Sequence, residues 1–148
     1  MGYRRSATTK NRTDALAHYH LANLQAVLDL ATEADWAAGL NWYRIAYAAA
    51  EDLSVRHGCT VRQAAGIIAA LSPQNGWTNN LQAADLFFAD PSVDVHFHDA
   101  CQKARAILSG TDPLSALRGQ KVRSFFRNII EPDRNGAVTI DRHAAAVL

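Results

Sequence analysis

Apolar residues recur every three to four positions along most of this chain, the spacing of helices that bury one face. "TDALAHYHLANLQAVLDLATEA" predicts one amphipathic helix, opened by Thr13 or Asp14, whose side chains accept hydrogen bonds from a first turn. "ADWAAGLNWYRIAYAAAEDLSVRHG" predicts a second, with Trp36, Leu40, Tyr43 and Tyr47 on one stripe and Gly58 as its C-cap. "TVRQAAGIIAAL", capped by Thr60, is apolar nearly all round and therefore reads as a central, buried helix. The polar turn "SPQNGWTNN" leads into a fourth helix, "NNLQAADLFFA", and a fifth lies in "SVDVHFHDACQKARAILSG", ending at Gly110. "DPLSAL" is a short helical turn. "GQKVRSFFRNII" is a further helix, with Val122, Phe125, Phe126 and Ile129 facing inward. "GAVTI" is a short extended piece, and a last helix starts at Asp141 or Arg142. The pattern is that of an all-α protein.

Composition narrows this further. The chain has 148 residues, enough for one sizeable domain, expected over 13–148 behind a basic, disordered arm at 1–12. Hydrophobic residues make up 49% and alanine dominates them, which favours packed helices over sheets. The longest apolar run, "AAGIIAAL", is too short to span a bilayer, so no membrane partner is expected. "MGYRRSATTKNR" has no apolar core behind its charges and is not a secretory signal. Two cysteines, Cys59 and Cys101, fit reduced thiols in a cytoplasmic protein and exclude a four-cysteine cluster. In helices, the HxH pairs His18/His20 and His96/His98 point to opposite sides, so no metal or other cofactor is expected.

The net charge is only +1, but its distribution is uneven. Six bases (Lys103, Arg105, Arg118, Lys121, Arg123 and Arg127) meet one acid, Asp112, whereas 85–99 carries four acids and no Lys or Arg. One basic face on a neutral protein is either a set of solvated helix surfaces or a place for a polyanion.

Three stretches together resemble the helix-hairpin-helix DNA glycosylase superfamily, as a divergent endonuclease III-like member. "IIAALSPQNGWTNNLQAADLF" is similar to the segment in which a buried helix ends in Leu-Ser-x-Gln before a polar turn and an Asn-bearing helix. "CQKARAILSG" is similar to the helix before the hairpin. "GQKVRSFFRNIIEPDRNGAVTIDRHA" resembles the hairpin lysine, an asparagine seven residues on, and an extended segment ending in the catalytic aspartate. The resemblance covers about 67–148. It implies a compact multi-helix bundle with a degenerate helix-hairpin-helix element. It implies too an enzyme that binds DNA, duplex or single strand, and cleaves the N-glycosidic bond of a damaged or modified base.

By this resemblance Asp141 and Lys121 are the catalytic candidates. Gln74 is the side chain that enters the base stack, and Asn75, Trp77 and Asn80 line the neighbouring wall. Arg118, Gln120, Arg123, Arg142 and His143 complete the DNA-contacting set. Losing a base develops positive charge on the sugar, which a fixed carboxylate stabilises. Lys121 either attacks as an amine, giving lyase chemistry, or neutralises a phosphate. Asp141 is equally a helix cap, Gln74 a turn residue, Trp77 a core lid, and Asn128 a buried hydrogen-bonder. Where the family has a glycine-rich hairpin, this chain has "LRGQK", with one glycine and an arginine. It also stops seven residues after Asp141, as a fragment or a minimal relative would. Relatives associated with hypermodified pyrimidines in phage-type DNA suggest an alternative substrate, in a bacterial or phage-infected cell. A helical module binding DNA or a protein without chemistry is the non-enzymatic alternative.

Overall fold

The computed structural model describes residues 7–134 and 137–139 together with Ala146, and side chains from Asp14 onward. Seven helices and no strand are found among the described residues: α1 (Ala7–Asp29), α2 (Glu33–His57), α3 (Val61–Leu71), α4 (Trp77–Ala89), α5 (His98–Leu108), α6 (Pro113–Ala116) and α7 (Gln120–Ile130). The all-α expectation holds. The chain divides into two units, residues 1–39 with 140–148 and residues 40–139, so the boundary falls within α2.

In the first unit, α1 begins at Ala7, inside the stretch expected to be a disordered arm. It is not the amphipathic helix the spacing predicts, because Leu16, Tyr19, Leu21, Leu24, Val27 and Leu28 are all exposed. The start of α2 is fixed locally. Thr32 donates from its amide and its hydroxyl to Asp35 Oδ2 at 2.9 and 2.6 Å, and Asp35 returns its own amide to Thr32 Oγ1 at 3.2 Å. These reciprocal bonds use donors that a helix start would otherwise leave unpaired.

The second unit is built around α3. Its residues Ala64 to Leu71 are all buried, as expected of a helix apolar all round, and it packs against α4, α5, α6 and α7. Thr60 and Gln63 form a capping box at its start, and Gln63 Nε2 also donates to the last carbonyls of α5, Ile107 O at 3.3 Å and Leu108 O at 3.1 Å. Gly66 lets α6 come close, since a Cβ there would lie 2.8 Å from Pro113 Cγ.

The predicted stripe of α2 is buried only in part. Trp36 and Leu40 are exposed, Tyr43 and Tyr47 are half-buried with Tyr43 packed against the core, and the fully buried apolar positions are Ala46, Ala50 and Leu53. On α7 the inward face is Phe126 and Ile129, with Val122 and Phe125 half-buried beside them.

Candidate functional site

The helix–turn–helix formed by α6 and α7 is built by local chemistry. Asp112 Oδ1 accepts the Leu114 amide at 2.9 Å, Pro113 occupies the first turn of α6, and the Leu117 amide closes onto Pro113 O at 2.8 Å. The chain then reverses at Gly119, whose φ of +81° is a conformation that favours glycine. No side chain caps α7, so its first amides face a cleft of about 290 Å3 lined by Gly119, Gln120, Arg123 and Arg127. Free amides, the positive end of a helix dipole and two guanidiniums make this cleft attractive to an anion.

Charge pairing separates α7 from the rest of the unit. Arg44, Arg56, Arg62, Lys103, Arg105 and Arg134 each touch a carboxylate. Lys121, Arg123 and Arg127 touch none among the described residues. Arg118 is intermediate, acting on Asp99 at a distance. Asp99 is held below the usual carboxylate range mainly by its hydrogen bond from Lys103, with a smaller contribution from Arg118. Asp112 is likewise held low, chiefly by the Arg62 guanidinium.

The turn before α4 carries the other candidates. Gln74 is exposed and has φ +56°, in the left-handed region that a side chain with a Cβ rarely adopts. Its turn is tethered on both sides. His96 Nε2 lies 2.8 Å from Pro73 O, and Asn75 donates to Leu71 O at 3.4 Å. Trp77 is half-buried and joins an aromatic cluster, with Trp42 at 5.1 Å between ring centroids and Phe125 of α7 at 5.9 Å from Trp42. Tyr43 closes the group at 4.9 Å from Trp42. The cluster connects the Trp77 end of α4 to the middle of α7. No described contact joins Gln74 or Asn75 to Lys121, Gln120 or Arg123.

One expected contact residue is corrected. Asn80 is only 1% exposed, and its Nδ2 donates to Ile68 O at 3.1 Å, near the end of α3. It satisfies a carbonyl that the helix end leaves over and cannot line a DNA-facing wall. Asn128 is buried too, and donates to Thr139 Oγ1 at 3.2 Å, tying the 137–139 segment to α7. The buried hydrogen-bonding alternative therefore fits Asn128. Asp141, Arg142 and His143, two to four positions beyond Thr139, lie outside the described residues.

The sequence pattern passes over Trp42, which lies off the expected stripe, and offers His96 only as half of a possible metal pair. Both of the His96–His98 pair are engaged, His98 with Asp94 Oδ2 at 2.6 Å. No cluster of three or more His, Cys, Asp or Glu suited to a metal occurs among the described residues, and none of their helices is long and apolar enough to cross a membrane. Both cysteines are free, and burial pushes the Cys59 thiol up, away from the thiolate a nucleophile needs.

The chain belongs to DUF7178, a family of unknown function whose model matches residues 6–148. No curated protein matches it. No solved structure matches it either.

Proposed function

We propose that this protein binds DNA along α7 and cleaves the N-glycosidic bond of a damaged or modified base, with Asp141 as the functional carboxylate. The observation that carries the reading is the unpaired set Lys121, Arg123 and Arg127 on one helix of a unit whose other described Lys and Arg side chains, Arg118 excepted, are matched to acids. Unmatched cations beside free helix amides suit a phosphate backbone. The short α6, the Gly119 turn and α7 give a reduced hairpin suited to that contact. Gln74, in a conformation unfavourable for glutamine, is the wedge for the vacated stack, since strain is retained where a side chain has work to do. The aromatic group of Trp42 and Trp77 offers a stacking wall for the extruded base, a contact worth about 1–3 kcal/mol per base.

Lys121 is exposed and meets no described charge, which suits a phosphate counter-ion better than an attacking amine. This favours hydrolysis without strand cleavage, and it is also what a purely DNA-binding module would display. Hypermodified pyrimidines are the alternative substrate class, and the proposed setting is the cytoplasm of a bacterial or phage-infected cell.

Base release decides between enzyme and module. Unmodified and hypermodified genomic DNA, with oligonucleotides carrying common lesions, are incubated with the protein and freed bases are read by mass spectrometry. A base released by the wild type and not by Asp141→Asn supports the enzyme. Salt-sensitive DNA binding with no base released from any substrate supports the module, and binding that ignores salt removes DNA from both.

A further inference from the structure

The first unit contains a helix whose apolar side chains face solvent. α1 runs for 23 residues. Along it Leu16, Leu21, Leu24, Val27 and Leu28 are between 38% and 62% exposed, and α2, whose start shares the unit, does not pack extensively against it. Helices in proteins owe most of their stability to the packing of an apolar face, so a helix with five such residues exposed lacks a partner. We infer that the partner is a second copy of this chain, its α1 lying antiparallel to the first across a two-fold axis.

Spacing is the first reason. Ala17, Leu21, Leu24 and Leu28 follow one another at intervals of four, three and four, the seam by which two helices interlock side chains. Leu16 and Val27 lie beside them on the same side of the helix. These intervals are symmetric about the midpoint between Ala22 and Asn23. An antiparallel two-fold pair therefore sets Leu21 against Leu24 of the second copy and Ala17 against Leu28, and makes each contact twice. The small alanine leaves room for the leucine it faces.

Charge is the second reason, and it fixes the direction. The sequence places Lys10 and Arg12 near the start of α1, and Asp29, Glu33 and Asp35 at its end and at the start of α2. Antiparallel pairing brings the basic start of each helix level with the acidic end of the other, whereas parallel pairing stacks like on like. Size is the third reason. Covering the exposed parts of the five large side chains on both copies removes roughly 800 Å2 of apolar surface, at about 80 Å2 for each. With the polar residues flanking the seam the pair reaches about 1,200 Å2, the lower limit of specific interfaces and the size of a weak, reversible dimer. The pairing does not depend on the base-excision reading, since none of these residues belongs to α7 or to the Gln74 turn.

Sedimentation velocity of the full chain tests it. The wild type is expected to pass from monomer to dimer between about 1 and 100 µM, as an interface of this size allows. Leu21→Glu and Leu24→Lys each set a charge against an apolar side chain at two places, and each is expected to weaken the dimer at least about a hundredfold. Both positions are exposed within the chain, so the circular dichroism of either variant at the lowest concentration should match the wild type. Mixing the two variants is the decisive arm. In a mixed pair the introduced carboxylate faces the introduced ammonium at one contact and leucine still faces leucine at the other, so the mixture forms dimer although neither variant does alone. A wild type that stays monomeric throughout the range overturns the inference, and needs no variant to do so. A dimer that persists in both variants overturns it too, because the contact would then lie on another face. So does a dimer lost in both variants that the mixture fails to restore, which would exclude the antiparallel register.

Discussion

Gly66→Ala sets two well-characterised effects against each other. Gly66 is buried in the middle of α3, so on helix propensity alone alanine stabilises by about 0.8–1.0 kcal/mol. Packing says the opposite. The new Cβ would lie 2.8 Å from Pro113 Cγ, 2.9 Å from Pro113 Cβ and 3.2 Å from Ile107 Cγ2. Ile107 is a flexible enough neighbour to give a few tenths of an ångström, but the proline ring has no rotamer to change, so α6 itself must move. Overpacking of this kind costs about 1–3 kcal/mol, and the approach here is at its severe end. The net expectation is a loss of about 1–2 kcal/mol, or roughly 4–8 °C in melting temperature for a unit of this size. Urea denaturation followed by circular dichroism measures it. The Pro113→Gly variant, which removes both clashing ring atoms, is expected to absorb much of the Gly66→Ala penalty in a double-mutant cycle, giving a coupling of about 1 kcal/mol or more. A Gly66→Ala protein as stable as the wild type, or more so, would refute the argument, because propensity would then have won and the approach of α6 to α3 would not be as close as described.

Gln74→Gly relieves the left-handed backbone at φ +56° and is expected to stabilise by up to about 1 kcal/mol while lowering DNA affinity or base release, an opposition read from parallel melts and binding assays. A loss of stability would mean the glutamine is a turn residue and no wedge. Asn80→Ala leaves the Ile68 carbonyl without its donor and should cost about 1–3 kcal/mol in urea, with DNA affinity per folded molecule unchanged. Replacing Lys121, Arg123 or Arg127 by Gln is expected to reduce the slope of log K against log salt by about one for each phosphate no longer neutralised, and Arg44→Gln not to change it. Asp85 is held below its ordinary range first by its hydrogen bond with His57 and then by Arg56. A carboxylate lowered on folding contributes stability that is complete above its unfolded value, about 3.9, and fades as pH falls through the lower folded value. Wild-type protein should therefore lose urea resistance below about pH 4 more steeply than Asp85→Asn, by a small margin because the pair is half exposed.

How far the sequence discloses this molecule depends on where each signal is stored. α3 is legible because its signals are local and agree: Thr60 and Gln63 at the correct spacing for a capping box, then an unbroken apolar run. The helix ends at Gly58 and Gly110 are legible for the same reason, since a positive φ favours glycine. α2 misleads because spacing gives the stripes of a helix without saying which one a neighbour will cover. The aromatic stripe is the larger, yet its Trp36 and Leu40 are exposed and Tyr43 only half-buried, while Ala46 and Ala50 are fully buried. Asn80 misleads for a related reason. An asparagine after a polar turn reads equally as a ligand contact or as the partner of a carbonyl twelve residues back, and only the packing of α4 on α3 chooses. The cationic face is partly visible as a run of bases, but its distinctive property is pairwise. Arg62 and Lys121 look alike in the sequence, and differ in that Asp112, fifty residues on, reaches one of them while no described acid reaches the other.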